Sequence, residues 1–214
     1  MGADIRKRSW IISLLIVLAV IVDQVIKILV KTGMSLGEGI MVFGEWFQIR
    51  FVENDGMAFG MELFDKYFLT SFRMVAVCFL VYYLVRLLRE AKQPFGYIIC
   101  IALVLAGAVG NLIDCLFYGE IFTHSAGQVA TFVPWGEGYG GFMKGRVVDM
   151  FDFPLFTWPE WLPLVGGRIF FSPVFNFADA SISVSVVLLL LFYRQEVSKI
   201  TIIDKEQKTE ETEA

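Results

Sequence analysis

Ser172-Pro173-Val174-Phe175-Asn176-Phe177-Ala178-Asp179-Ala180-Ser181-Ile182-Ser183 opens a hydrophobic run that continues through Val184 to Tyr193 and stops at Arg194. Ser172 suits a helix N-cap and Pro173 the first helical turn, so a helix is expected from 173 to 193, about the length that crosses a bilayer. On that reading Asp179 lies roughly 9 Å beyond the helix start, where an ionised side chain needs a partner, a wet cavity or a chemical task. Asn176 and Ser183, three residues before and four after, fall on the face of Asp179. That face is expected to look into the protein.

The rest of the chain has the same character. Of 214 residues, 57% are hydrophobic, 15% aromatic and only 19% charged, and the mean hydropathy is +0.65. This excludes an ordinary soluble domain and points to an integral membrane protein. The formal net charge is −4. Asp204, Glu206, Glu210, Glu211 and Glu213 crowd the end, so 204–214 reads as an acidic cytoplasmic tail and no nucleic-acid partner is implied. Cys78, Cys100 and Cys115 sit in apolar runs without metal-ligand spacing and read as small buried hydrophobes. His124, the single histidine, cannot make a metal site alone.

Working outward, three further apolar runs give spans at about 10–30, 67–88 and 95–117, which with 173–193 make a single membrane-embedded domain over 1–203. Arg6-Lys7-Arg8 before the first run resembles a signal peptide, but Asp23, Gln24 and Lys27 follow in place of a small-residue cleavage site. A retained span with its basic end in the cytoplasm is therefore expected, and Arg86, Arg89, Lys92, Arg194 and Lys199 place both termini inside. Residues 31–67 are expected outside as a small β element, with period-2 alternation through Phe47, Ile49 and Phe51 and a turn at Asn54-Asp55-Gly56. Ala102, Ala106 and Gly110 form a small-residue stripe that lets another helix come close.

Residues 119–172 return to the outer side: a glycine-rich surface loop at 127–145, a strand-like segment Arg146–Phe153, and an aromatic stretch at 154–171 suited to the headgroup level. Counted from the helix ends, Asp23, Arg73, Asn111, Asp114 and Asp179 share the outer half of the membrane. Asp149 is the second acid most easily swung over Asp179, with Asp152 its alternative in the same segment. Asp23 with Lys27, and Asp114 with Arg73, also fit purely structural ion pairs.

Asp23-Gln24 with Lys27, Asn54-x-Gly56-x-Ala58-Phe59, Gly110-Asn111-x-x-Asp114, Val147-x-Asp149 and Phe175-Asn176-x-Ala178-Asp179 occur in order across residues 10–194. This set resembles the bacterial lipoprotein signal peptidases (signal peptidase II). The resemblance implies a four-helix aspartyl peptidase of the bacterial inner membrane, with its site towards the extracytoplasmic side, that cuts prolipoproteins immediately before a diacylglyceryl-modified cysteine. It implies Asp149 and Asp179 as the catalytic pair, favouring Asp149 over Asp152. Asn54, Gly56, Asn111, Asp114, Asn176, Asp23 and Lys27 are its substrate-binding positions. It implies lipidated prolipoproteins and membrane lipid as partners, a monomer, and no metal or organic cofactor. An extended substrate is expected to pair with the strand near Phe51–Asn54, its acyl chains staying between helices.

Two departures stand out. Cys115 replaces the arginine usual after the third-motif aspartate, leaving Arg73 or Arg146 to supply that cation, and residues 119–145 look like an insertion. A small ion-coupled transporter is the rival reading of intramembrane acids, but it needs polar residues through both leaflets, and the inner halves of these spans are nearly free of charge. A non-enzymatic assembly factor is a third, for which Asp149 and Asp179 would be dispensable.

Overall fold

Backbone polar groups in an apolar chain must be satisfied within the chain itself, and here long helices do most of that. The computed structural model describes residues 2–55, 66–90, 92–171 and 173–198. Its elements in order are α1 Gly2–Gly33, β1 Gly39–Phe43, β2 Phe47–Asn54, α2 Lys66–Glu90 and α3 Phe95–Ile113. A π-helical turn, Asp114–Tyr118, carries α3 on into α4, Gly119–Ile121, and β3 Val147–Asp152, β4 Phe156–Thr157, β5 Ile169–Phe170 and α5 Phe177–Phe192 follow. Among the described residues, Asp4–Gly33, Lys66–Glu90 and Phe95–Ile121 are long and apolar enough to cross a membrane, and α5 is a shorter apolar helix.

α3 is central, packing on α1, α2 and α5. Arg8 lies over the Phe95 ring at 5.7 Å and Tyr193 meets Tyr97 edge-on at 6.0 Å. The start of α1, the start of α3 and the end of α5 therefore gather at one end of the bundle. Beside them Ile12, Leu84, Leu87, Ile98, Ile101 and Leu105 form an apolar core. The expected stripe is buried, and Gly107 joins it. A β-carbon at Gly107 would stand 2.5 Å from the Ala178 carbonyl oxygen and 2.7 Å from Ile182, so α5 rests against bare α3 backbone.

Several expectations need correction. α1 does not end near residue 30 but runs to Gly33, taking Lys31 with it. α5 does not begin at Pro173. Phe175 exchanges backbone hydrogen bonds with Phe151, which holds residues before Asn176 extended, and Asn176 is the true N-cap. Asp179 is thus the third residue of the helix, in its first turn and not about 9 Å along it. Ser172, the expected cap, lies outside the described residues. Ser183 is exposed, and Ser185 is the buried serine of α5, on one face with Ala178 and Leu189.

β2 is a strand as its alternation suggests, but it is the middle strand of the antiparallel sheet β1-β2-β3. Val52 pairs with Asp149 and Asn54 with Val147, while Phe51 exchanges hydrogen bonds with Gly37 and Glu38 on the other side. At Phe51 that side is therefore closed to an extended substrate. The glycine-rich segment docks onto the end of α3: Gly145 N–H donates to Cys115 O at 2.9 Å, and Gly140 and Gly141 both donate to Gly119 O at 3.0 Å. A β-carbon at Gly145 would collide with the Asp114 carbonyl. The β4–β5 hairpin holds out Trp161 and Leu164, 78% and 91% exposed.

Gly107→Val is expected to destabilise the bundle by about 2 kcal/mol through overpacking against α5. Gly33→Ala, which meets no atom within 4 Å, should shift stability by less than about 1 kcal/mol. Thermal unfolding in detergent compares the two.

Candidate active site

Where β3 passes the start of α5, Asp149 and Asp179 are brought together by one amide. Asn176 Nδ2 donates to Asp149 Oδ1 at 2.7 Å, and Asn176 Oδ1 accepts the Asp179 N–H at 2.9 Å. The Asn176 N–H in turn donates to Asp179 Oδ2 at 3.4 Å, closing a capping box. Asn54, exposed at the end of β2, donates from Nδ2 to Asp149 Oδ2 at 3.3 Å. Asn111 Nδ2 donates to Asp179 Oδ1 at 2.8 Å and its Oδ1 accepts from Asn176 at 3.1 Å. Asp149 is 3% exposed. Burial pushes its carboxyl up to about 7, the Asp179 charge adds to this, and the asparagine donors oppose it.

Beneath this pair lies Lys27, 0% exposed, with its ammonium on Asp23 Oδ2 at 2.9 Å, Asp114 Oδ2 at 2.8 Å and Asn111 Oδ1 at 2.8 Å. Gln24 Nε2 donates to Asp114 Oδ1 at 2.9 Å, and Tyr118 donates to Gln24 Oε1 at 3.1 Å. The helical pair expected between Asp23 and Lys27 is present. The pair expected between Asp114 and Arg73 is not: Lys27 reaches across from α1 and takes Asp114, while Arg73 Nη1 lies 2.7 Å from Cys115 Sγ. Of the two cations weighed for the missing arginine, Arg73 thus meets position 115 itself. Arg146 is engaged by Glu53 at 3.4 Å and Asp55 at 3.2 Å. Asp152, the alternative to Asp149, is held by Arg50 at 3.3 Å and Gln48 at 2.9 Å.

Asp23, Lys27, Asn54, Asn111, Asp114, Asp149, Asn176 and Asp179 therefore form one connected group. Gly56, with Ala58 and Phe59, lies outside the described residues. Among the described residues no set of three His, Cys, Asp or Glu side chains could hold a metal ion.

A second buried group escaped the sequence reading. Lys31 bonds Glu53 and, at 3.0 Å, Ser125 Oγ, with its ammonium 5.0–5.9 Å from the rings of Phe51, Phe122 and Tyr139. Burial pushes the Glu53 carboxyl up, but Lys31, Ser125 and Arg146 together hold it below its usual value. The Tyr139 hydroxyl accepts the Arg146 N–H at 2.6 Å. The only local signal was a lysine at the end of an apolar helix; its partners come from distant parts of the chain.

Asn176 thus joins two acids through one side chain, and carboxyl groups paired in a dry site are an arrangement that can supply an acid and a base together. A family model described as Signal peptidase (SPase) II matches residues 15–194. The chain is 51% identical over 195 residues to the lipoprotein signal peptidase of Porphyromonas gingivalis, covering 89% of this chain and 86% of that protein. Against the lipoprotein signal peptidase of Amoebophilus asiaticus it is 33% identical over 216 residues, 97% of this chain and 87% of the other. Two solved bacterial membrane enzymes, determined by the in meso method, share its fold. One aligns with a TM-score of 0.60 and 24% identity over 88% of this chain and 90% of its own. The other gives 0.58 and 26% over 84% and 90%. With a match that runs from α1 to the end of α5, this chain belongs to the signal peptidase II family, the aspartic-type lipoprotein signal peptidases.

Proposed function

We propose that this peptidase removes the signal peptide from diacylglyceryl-modified prolipoproteins, cutting immediately before the lipidated cysteine, with Asp149 and Asp179 as its catalytic pair. The observation that carries this is the Asn176 bridge, which ties both carboxyl groups into one unit at the end of the bundle. The pair holds one proton between them and titrates as a unit. Its ionised member takes a proton from the water that attacks the scissile carbonyl. Its protonated member polarises that carbonyl and then supplies the leaving amine. Asn54, exposed beside Asp149, contacts the substrate backbone.

α1, α2, α3 and α5 are the four spans of this proposal, with both termini in the cytoplasm. Arg6-Lys7-Arg8, Arg86, Arg89, Lys92 and Arg194 all stand at the bundle end away from the dyad, as the positive-inside rule requires. α5 has 16 residues and is about 24 Å long, short for a span. Its start therefore lies below the outer membrane surface, which puts the dyad at a depth that a lipid-anchored cysteine reaches. Trp161 and Leu164 on the β4–β5 hairpin rest at the outer headgroups. An ion path is disfavoured because the apolar core around Ile98 and Leu105 fills the bundle between the dyad and the basic end.

Asp149→Asn and Asp179→Asn are each expected to lower cleavage of a lipidated prolipoprotein by at least about 10²-fold, while Asp152→Asn keeps most of the rate. An active Asp149→Asn beside an inactive Asp152→Asn would exchange the two assignments. The raised Asp149 carboxyl means that the pair's proton is lost as pH rises through about 7, so kcat/KM should fall above that point, approaching about tenfold per pH unit. A rate that stays flat well above neutrality contradicts this.

A further inference from the structure

Lys27 presents a buried ammonium whose three hydrogens meet three acceptors, one each from Asp23, Asp114 and Asn111. The other bonds that these partners make are what matter. Asp23 uses its other oxygen, Oδ1, to accept the Ala178 N–H at 3.0 Å. Asp114 accepts the Val148 N–H on Oδ2 at 3.3 Å. Ala178 directly precedes Asp179, and Val148 directly precedes Asp149. Asn111 completes the set by donating to Asp179 itself. One cation on α1 is thus linked, through one acid on each side, to the backbone immediately before each member of the dyad.

We infer that Lys27 is a positioning residue that sets the spacing of the two catalytic aspartates, with Asp23 as its arm to Asp179 and Asp114 as its arm to Asp149. This rests on the dyad proposed above and assigns these three residues a task other than the substrate contact implied by resemblance. Asp23, Lys27 and Asp114 are 1%, 0% and 0% exposed, so no substrate atom reaches them in this arrangement.

The surrounding backbone is shaped to admit the device. A β-carbon at Gly110 would stand 2.5 Å from Asp23 Oδ2, and one at Gly145 would collide with the Asp114 carbonyl. Glycine at these positions lets Asp23 approach α3 and lets the chain entering β3 lie on the π-helical turn. That turn begins at Asp114, where the change of helical register delivers the carboxylate to Lys27. The Ala178 N–H belongs to the first turn of α5, where no intrahelical carbonyl is available, so Asp23 satisfies an otherwise orphaned donor. Asp23 and Asp114 share the single Lys27 charge, which draws them to one point from α1 and α3.

The test is steady-state cleavage of a synthetic diacylglyceryl-modified prolipoprotein peptide by the full chain in lipid nanodiscs, with thermal unfolding of each variant alongside. Lys27→Met, Asp23→Asn and Asp114→Asn should each lower kcat, Lys27→Met by about 10²-fold as the dyad loses alignment, with KM unchanged. The double variant Asp23→Asn/Asp114→Asn should cost about as much as its worse single, because the two carboxylates act as a unit. A rise in KM at constant kcat, or losses in the double variant that multiply, overturns the inference in favour of substrate contact or of independent structural roles. If Lys27→Met does not fold, the two isosteric asparagine variants decide by the same split between kcat and KM. Folded variants with unchanged kcat beside an active parent overturn this inference alone. A parent that does not cut overturns the peptidase reading and this inference with it.

Discussion

A charge buried in an apolar bundle has to be matched group for group, and the Lys27 ammonium is the charge around which this molecule is matched. Its acceptors come from α1 and α3, and those acceptors hold backbone donors on β3 and α5. Four elements distant in sequence therefore meet at one point by electrostatic necessity. The apolar residues around them are far less particular: many side chains of suitable size would fill the core near Ile98 and Leu105. Lys27 and its partners have no such freedom, because removing any one leaves a buried donor or acceptor without a partner.

The same constraint explains how Asp149 and Asp179 can stand so near one another. Each carboxylate is surrounded by amide donors that are themselves held, Asn176 by Asp149 and Asn111, Asn111 by Lys27. Rigid donors are worth more in a dry site than mobile ones, since they do not reorganise as charge moves. Asn54 differs in being exposed, at the end of β2, while it donates to Asp149.

The helices and the polar layer were legible in the sequence because hydropathy and charge act locally: a run of apolar residues is a helix in a membrane protein, and an acid inside it has to be explained. The start of α5 was misread for an equally physical reason. Ser172-Pro173 is a good local helix signal, but Phe175 is claimed by β3, and that long-range ladder outweighs a cap worth about 1 kcal/mol. The middle position of β2 was hidden because the strand pattern reports which face is buried and says nothing of neighbours. The Lys31 group was invisible because Glu53 and Ser125 lie 22 and 94 residues away. It gives residues 119–145 a physical place, since Ser125 and Tyr139 pin them to α1 and to the root of β3.

The proposed function requires two carboxyl groups, those of Asp149 and Asp179, to cut one bond. Mass spectrometry of the products from a diacylglyceryl-modified prolipoprotein, incubated with the parent and with the Asp149→Asn/Asp179→Asn double variant in nanodiscs, tests it directly. A single cut immediately before the lipidated cysteine is expected with the parent, and intact substrate with the folded double variant. A cut at another bond, or the same cut made by the double variant, would contradict it.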